Sequence, residues 1–275
     1  MSQTIIVNSQ EVVENESDPA IRLEIYNHES EKDLEESYDN YNMESIYNLN
    51  NKFKLRYYQD DAIKESSKYD KCLINMWCGS GKTRVFTVDL FLKNEKINVF
   101  VFPSLGLINQ YCNDYALSED PLFKSGFEKY KCLSFCSDND ANLKQRGEIV
   151  FTTDESELTR FLNNKSKQLL LVTYQSFEKF INICIKNNII INNLIFDEAH
   201  HIVGDKIQNI VFNNQTLNTI VKKTRFYTAT PINKNGICMY DRENPKNSDC
   251  GPLAYEYLYY QAVKDEVSKS FETQI

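Results

Sequence analysis

The sequence predicts an α/β fold from residue 52 onward, a parallel sheet covered by helices on both faces. Two observations support this prediction. Short runs of β-branched and aromatic residues are almost continuously apolar, as expected for strands buried on both faces. Longer amphipathic segments separate these runs, as expected for crossover helices between parallel strands. With 275 residues, of which 41% are hydrophobic, the chain can bury a substantial core.

The elements follow each other in a regular order. The predicted strands are Cys72–Trp77, Asn98–Phe102, Cys132–Cys136, Glu148–Thr152, Gln168–Thr173, Asn193–Phe196 and Thr224–Thr228. The predicted helices are Tyr58–Ser67, Lys82–Lys93, Leu105–Tyr115, Glu155–Asn163 and Ser176–Lys186. Because such sheets bind ligands beyond the carboxyl ends of their strands, polar residues that follow the strands are candidate site residues.

The negative charge is concentrated at the N-terminus. Residues 1–50 hold 12 acidic and 2 basic residues, a balance of −10, whereas the remaining 225 hold 29 basic and 27 acidic residues, a balance of +2. We therefore expect residues 1–51 to be an acidic, disordered leader, either inert or acting as a lid over a nucleic-acid groove. Residues 52–267 form the predicted domain, and 268–275 a tail or the start of a linker.

Cysteine usage predicts a reducing compartment. The eight cysteines include no Cys-x-x-Cys pair, so free buried thiols are favoured over a zinc site. The first ten residues lack the basic and apolar regions of a signal peptide. No apolar run is long enough to cross a bilayer. We therefore expect an intracellular protein of the cytoplasm or nucleus, without a membrane partner.

The segment Cys78-Gly79-Ser80-Gly81-Lys82-Thr83 carries the strongest chemical signal. It follows a predicted strand and precedes a predicted helix, the context of a phosphate loop (P-loop, Walker A). Its glycines allow backbone N–H groups and the helix N-terminus to hold phosphate oxygens. Lys82 would reach the β- and γ-phosphates of a nucleotide, and the Thr83 hydroxyl would ligate Mg²⁺. Met76 stands where the strict pattern has glycine.

A carboxylate pair, Asp197-Glu198, follows the strand that ends at Phe196. The first carboxylate can hold Mg²⁺, and the second can orient a water for in-line displacement. Lys82, Asp197 and Glu198 are thus the candidate catalytic residues. His200 and His201 are adjacent, whereas metal-binding histidines on a helix are usually four residues apart, so neither is a predicted ligand.

These two motifs resemble those of superfamily-two helicases of the DEAD/DEAH type. Asp197-Glu198-Ala199-His200 corresponds to the DEAH box, and the phosphate loop to the first motif. Leu55-Arg56-Tyr57-Tyr58-Gln59 resembles an element in which Gln59 would bind adenine, since an amide can pair with the N6/N7 edge. The resemblance implies ATP and Mg²⁺ as cofactors. The implied nucleotide-binding residues are Gln59, Gly79, Ser80, Gly81, Lys82 and Thr83.

Three further segments resemble motifs that contact nucleic acid or couple it to ATP. They are Pro103-Ser104-Leu105, Thr173-Tyr174-Gln175-Ser176 and Thr228-Ala229-Thr230-Pro231. The implied contacts are mainly to phosphates. The residues implied in binding or coupling are Pro103, Ser104, Thr173, Gln175, His200, Thr228 and Thr230.

Together these motifs resemble the restriction-enzyme-type branch of the superfamily. The resemblance covers residues 52–267 and implies the first RecA-like domain of a helicase or translocase, with DNA favoured over RNA. Such motors need a second RecA-like domain, in cis or in trans, and the 275 residues contain no Gln-x-x-Gly-Arg-x-x-Arg element. We expect half of a motor: a fragment, a split gene product or one chain of two.

Two functions remain open at this stage. The chain is either the ATP-hydrolysing domain of a DNA helicase or a nucleotide-binding recruitment module that unwinds nothing by itself. An unrelated small-molecule kinase is disfavoured because the other motifs accompany the phosphate loop. A tyrosine series near the C-terminus, Tyr255, Tyr257, Tyr259 and Tyr260, fits an edge strand better than a base-stacking surface.

Overall fold

A computed structural model describes residues 53–268, with gaps at 137–144, 147–148, 203–204, 214, 233–235, 237, 242 and 245–247. The predicted leader and residues 269–275 lie outside the described residues. The prediction that the leader is disordered therefore concerns residues that the structure does not describe.

Nine strands form one sheet. They are β1 (Lys71–Met76), β2 (Ile97–Phe102), β3 (Tyr130–Phe135), β4 (Gln145–Arg146), β5 (Ile149–Thr152), β6 (Lys167–Thr173), β7 (Ile191–Phe196), β8 (Val221–Thr228) and β9 (Leu253–Tyr257). Their order is β4-β5-β3-β6-β2-β7-β8-β1-β9. All neighbours pair in parallel except the short β4, which is antiparallel to β5. The predicted parallel α/β sheet is thus confirmed, with a RecA-like arrangement.

The helices cover both faces of this sheet. They are α1 (Tyr57–Ser67), α2 (Lys82–Lys93), α3 (Leu105–Tyr111), α4 (Pro121–Phe127), α5 (Glu155–Leu162), α6 (Tyr174–Lys186), α7 (Asp205–Gln208), α8 (Gln215–Ile220) and α9 (Tyr259–Lys264). Side chains of α1, α2, α3, α4 and α9 share one core with alternate strand residues such as Ile74 and Tyr227. Side chains of α5, α6 and α8 share the other core with the intervening residues, such as Leu73 and Phe226.

Most predicted elements end within two residues of the observed bounds, and two differ by three or more residues. The helix predicted to end at Tyr115 ends at Tyr111 and continues as a π-helical turn, Cys112–Ala116, closed by a bond from the Leu117 N–H to the Cys112 carbonyl at 2.7 Å. Strand β8 begins at Val221, three residues before its prediction, because its exposed start carries lysines that do not read as strand.

Sequence reasoning missed the helices α4, α7, α8 and α9 and the short strand β4. The start of α4 had a local signal, since Pro121 is its first residue and the Asp120 carboxylate accepts the Leu122 N–H at 2.9 Å. The edge strand proposed for the tyrosine series is present as β9, but Tyr259 and Tyr260 belong to α9. The expectation of one strand pattern through all four tyrosines was therefore wrong at its end.

Two features relate to the predicted reducing compartment and to membrane association: the burial of the cysteines and the length of the helices. Five of the eight cysteines are buried as free thiols, whereas Cys78 and Cys238 are exposed. Among the helices of the described ranges, none combines the length and apolar character needed to cross a bilayer.

Gly251, just before β9, provides a test of the packing. It has a φ of +77°, and a Cβ atom there would lie 2.4 Å from the Lys71 carbonyl oxygen. Gly251→Ala should lower the free energy of unfolding by about 2–4 kcal/mol, because backbone strain and a backbone clash add together. Gly106→Ala in α3 is the control, since its Cβ would meet nothing closer than 3.7 Å, and it should be neutral or slightly stabilising. Urea unfolding of both variants measures the difference, and equal losses would contradict it.

Candidate nucleotide and nucleic-acid site

The predicted motifs meet at the carboxyl edge of the sheet. The phosphate loop follows β1, Ser104 follows β2, Tyr174 follows β6, Asp197 follows β7 and Ala229 follows β8. These five strands are consecutive in the sheet, in the order β6-β2-β7-β8-β1. Motifs that are far apart in the sequence therefore lie along one edge.

The phosphate loop is shaped by its two glycines. Gly79 and Gly81 have φ values of +79° and +82°, which residues with side chains rarely adopt. A Cβ on Gly81 would lie 2.6 Å from the Gln59 amide nitrogen. That nitrogen donates to the Ser80 carbonyl at 2.9 Å, and the Gln59 carbonyl oxygen accepts the Arg56 N–H at 3.1 Å. Gln59 thus holds the loop in place from the start of α1.

Lys82, the first residue of α2, is buried at the centre of the site, with 8% of its surface exposed. Its Nζ donates to the Met76 carbonyl at 3.4 Å and lies 3.5 Å from the Glu198 Oε1. The ammonium group therefore joins the end of β1 to the carboxylate that follows β7.

The carboxylate pair combines burial with backbone strain. Asp197 is 8% exposed, and burial, together with the Glu198 charge, raises the pKa of its carboxyl to about 7. Its Oδ1 accepts the Glu198 N–H at 3.0 Å. Glu198 has a left-handed conformation, with φ 49° and ψ 52°, which costs energy for a residue with a side chain. Such strain is common at functional sites, where the surrounding structure holds it.

A chain of polar contacts runs from Glu198 to the end of β8. The His200 Nδ1 lies 3.4 Å from the Glu198 Oε2 and 3.0 Å from the Thr228 Oγ1. The Thr228 hydroxyl also donates to the Thr230 carbonyl at 3.0 Å and accepts the Thr230 N–H at 3.1 Å. Thr228 is fully buried and Thr230 is exposed, so the chain leads from the carboxylates to the surface.

Comparison with known proteins fits this geometry. Residues 52–233 match the family described as Type III restriction enzyme, res subunit (ResIII). The chain belongs to the ResIII family. Its domain is thus of the superfamily-two helicase type, as the motifs predicted. None of the curated proteins matches the chain.

Solved structures share the fold of this ResIII domain. The Type ISP restriction-modification enzyme LlaGI, a nuclease-deletion mutant in complex with a DNA substrate mimic, gives a TM-score of 0.59 at 24% identity, over 78% of this chain and 21% of that one. LlaBIII, an ATP-dependent Type ISP enzyme bound to DNA, gives 0.54 at 18%, over 77% and 16%. The Hef helicase domain of Pyrococcus furiosus gives 0.50 at 19%, over 76% and 39%. The ResIII chain thus spans well under half the length of these proteins.

The predicted nucleic-acid residues differ in accessibility. Ser104, Gln175 and Thr230 are exposed, and Pro103 is half-buried. Ser104 caps α3, its Oγ accepting the Leu107 N–H at 3.4 Å. Thr173 is only 7% exposed, and its hydroxyl bonds to the Ser176 Oγ at 3.1 Å. A role for Thr173 in holding the start of α6 therefore fits better than direct contact.

Sequence reasoning missed Tyr174 as a site residue, although it named Thr173 and Gln175 on either side. The buried Tyr174 hydroxyl donates to the Asp197 carbonyl at 2.9 Å. This bond fixes the backbone of the buried carboxylate from the neighbouring motif. Tyr174 was not recognised because an aromatic residue at the start of an amphipathic helix usually indicates a core position rather than a site residue.

A second missed contact joins α1 to the end of the domain. Tyr57 and Tyr257 both donate their hydroxyls to the Asp265 Oδ2, at 2.5 and 2.9 Å. The Tyr58 and Tyr257 rings stack, with centroids 4.0 Å apart. Because Gln59 lies on α1, this cluster helps to fix its position. No sequence motif indicated this cluster, since Tyr57 and Tyr58 lie about 200 residues before their partners Asp265 and Tyr257.

The buried Asp197 predicts a pH effect on the cation-free chain. Its pKa is raised from 3.8 to about 7 on folding, so between these values the unfolded state loses a proton that the folded state keeps. Stability should therefore fall as pH rises through this window. Asp197→Asn removes the effect and should be more stable than the original chain above pH 7, by up to about 4 kcal/mol, with no advantage near pH 4. Urea unfolding across pH, without divalent cations, measures this. A constant difference would contradict it.

Proposed function

We propose that the chain binds Mg-ATP and serves as the ATP-hydrolysing half of a nucleic-acid motor that prefers DNA to RNA. The observation that carries the proposal is the meeting of Lys82 and Glu198, 3.5 Å apart, beside the buried Asp197 and the phosphate loop. ResIII membership supplies the helicase-type framework for this assignment.

The residues present fit a nucleotide with a divalent cation. The Ser80 hydroxyl is buried and has no hydrogen-bond partner among the described residues, so an incoming phosphate would satisfy it. The described residues contain no group of three His, Cys, Asp or Glu side chains that could hold a metal. Mg²⁺ takes its ligands from one or two side chains plus phosphates and water, so Thr83 and Asp197 are sufficient on the protein side.

Each catalytic side chain has a role that its position supports. ATP and Mg²⁺, when bound, supply the phosphoryl group and the cation charge that polarises it. Lys82 stabilises negative charge on the β- and γ-phosphates, exchanging its contact with Glu198 for one with the nucleotide. Glu198, released from Lys82, orients the attacking water and accepts its proton. Asp197 would hold the cation, whose charge would offset the cost of ionising a buried carboxyl.

Gln59 retains the groups that adenine requires. A glutamine amide has two donor hydrogens and two acceptor lone pairs. One donor is used by the Ser80 carbonyl and one acceptor by the Arg56 N–H. The remaining N–H and lone pair match adenine N7 and the N6 amino group. Gln59 would then link base recognition to the position of the phosphate loop.

In this proposal, coupling to nucleic acid follows the polar contacts from Glu198 through His200 to Thr228. A change at Glu198 on hydrolysis would alter the contacts of His200, and hence the exposed Thr230. Thr230, Ser104 and Gln175 are the accessible members of the proposed nucleic-acid face. LlaGI and LlaBIII are DNA complexes by description, which supports DNA over RNA for this chain as a proposal.

Lys82→Ala tests the nucleotide site. Loss of a charge-assisted contact to phosphate should weaken Mg-ATP binding by roughly 10- to 150-fold. Lys64→Ala is the matched control, because Lys64 is an exposed lysine of α1 paired with Asp60 at 2.7 Å. Calorimetric titration measures both variants. Equal affinity of Lys82→Ala and the original chain would refute the assignment.

The 275-residue chain should bind ATP yet turn it over slowly. Its sequence lacks the Arg-containing element expected of the second domain. Arginine fingers contribute roughly 10³–10⁵ to turnover where measured in related enzymes. We expect barely detectable phosphate release, no stimulation by DNA and no strand displacement. Phosphate-release and strand-displacement assays measure this. Vigorous DNA-stimulated hydrolysis that Glu198→Gln abolishes would overturn the prediction. If the chain bound no ATP, both the motor and the nucleotide-dependent recruitment module would be contradicted.

A further inference from the structure

Positive charge is distributed unevenly between the two edges of the sheet. The connections that follow β1, β2, β6 and β7, before the next helix begins, contain no Lys or Arg, and the connection after β8 has Lys234, Arg242 and Lys246 only at positions outside the described residues. The start of three adjacent strands at the opposite, amino edge is different. Five lysines lie there, and we call them the lysine edge: Lys96, Lys129, Lys131, Lys165 and Lys167.

The strand register brings these lysines together. Strands β3, β6 and β2 are consecutive in the sheet. Tyr130, between Lys129 and Lys131, pairs with Lys167, and Gln168 pairs with both Lys131 and Ile97. Since neighbouring strands are about 4.8 Å apart, the backbones of Lys131, Lys167 and Lys96 lie within roughly 10–15 Å. The β3 start is fixed by the Tyr130 hydroxyl, which donates to the Leu90 carbonyl at 2.9 Å.

Most of these lysines are exposed to solvent, and few carboxylates lie near enough to offset their positive charge. Lys96, Lys129, Lys131 and Lys165 are exposed, and none forms an ion pair with a carboxylate of the described residues. Lys167 donates to the Asn94 side chain. Two carboxylates share this edge: Glu128 is exposed, whereas Glu95 accepts the Asn192 amide at 3.0 Å. Five lysines against two glutamates leave a local excess of positive charge.

We propose that the lysine edge is a second nucleic-acid surface, which holds the phosphate backbone without reading sequence. The proposal rests on the proposed function, because a motor must hold a polyanion and the described connections at its motif edge offer no cations other than those of the phosphate loop and α2. Lysines act as point charges toward phosphates, and the lysine edge has no exposed aromatic ring for base stacking. Strands of six or seven residues separate the two edges by about 20 Å, so this surface does not overlap the ATP site.

The test is the salt dependence of DNA binding by the 275-residue chain. A fluorescent duplex of about 20 base pairs is titrated by anisotropy between roughly 50 and 200 mM salt. Lys131→Ala/Lys165→Ala removes one exposed charge from β3 and one from the segment just before β6. Lys64→Ala/Lys264→Ala removes two exposed lysines from α1 and α9 and is the charge-matched control. Gln175→Ala probes the motif edge without a change in charge.

The lysine-edge variant should bind several-fold more weakly at low salt, and its slope of log affinity against log salt should be smaller by about 2. The control pair should keep the slope of the original chain. Equal effects of the two lysine pairs would overturn the proposal. So would a loss confined to Gln175→Ala, which would leave the proposed function intact. No binding of duplex by any form would overturn both the second surface and the DNA preference.

Polyglutamate of matched charge separates phosphate recognition from general attraction to polyanions. It should compete for the chain less well than duplex DNA does at the same salt concentration. Polyglutamate that competes equally, and in a way that depends on Lys131 and Lys165, would overturn the assignment to nucleic acid and favour an acidic protein partner.

Discussion

The parallel pairing of β7, β8 and β1 is the constraint on which the site depends. Phe196 pairs with Phe226, and Asn75 with Thr228, so the residues that follow these strands reach the edge at nearly the same level. A slip of one residue would exchange the residues of the two cores, because both faces are buried and alternate residues belong to different clusters. Core packing therefore fixes the register, and the register brings Asp197 to the phosphate loop.

The same geometry stores unfavourable energy in the nucleotide-free chain. Asp197 is buried enough to raise its pKa to about 7, and Glu198 has a left-handed backbone. Lys82 offsets part of this cost through Glu198 while its own alkyl stem is buried. Asp197 is thus a buried acid whose charge is only partly offset, Glu198 beside it has a strained backbone, and the Ser80 hydroxyl has no hydrogen-bond partner among the described residues. These features suit a ligand that supplies both a cation and phosphate oxygens.

Whether a feature could be predicted from the sequence depends on how far apart in the chain the interacting residues lie. Seven strands were recognised because burial on both faces leaves continuous apolar runs, and the phosphate loop and Asp197 because their chemistry is local in sequence. The π-helical turn after Tyr111 has no propensity signature, since it depends on a bond between Leu117 and Cys112. Tyr174 and Asp265 could not be assigned, because the bonds from Tyr174 to the Asp197 carbonyl and from Tyr57 to Asp265 join separate elements and leave no local sequence pattern.

Net charge is a poor guide to where this domain can hold a polyanion. The balance of +2 beyond residue 50 averages an edge with Asp197 and Glu198 against an edge where five lysines meet two glutamates. Neutral groups such as Gln175 and Ser104 can position a phosphate, but their contacts release few counterions and contribute little to affinity. For the proposed motor, the cations that hold a nucleic-acid strand would come either from other parts of the motor, such as a second RecA-like domain or Lys234, Arg242 and Lys246 after β8, or from the opposite edge of this domain. The fold allows both together, because the amino and carboxyl ends of parallel strands are separated by the whole length of the sheet.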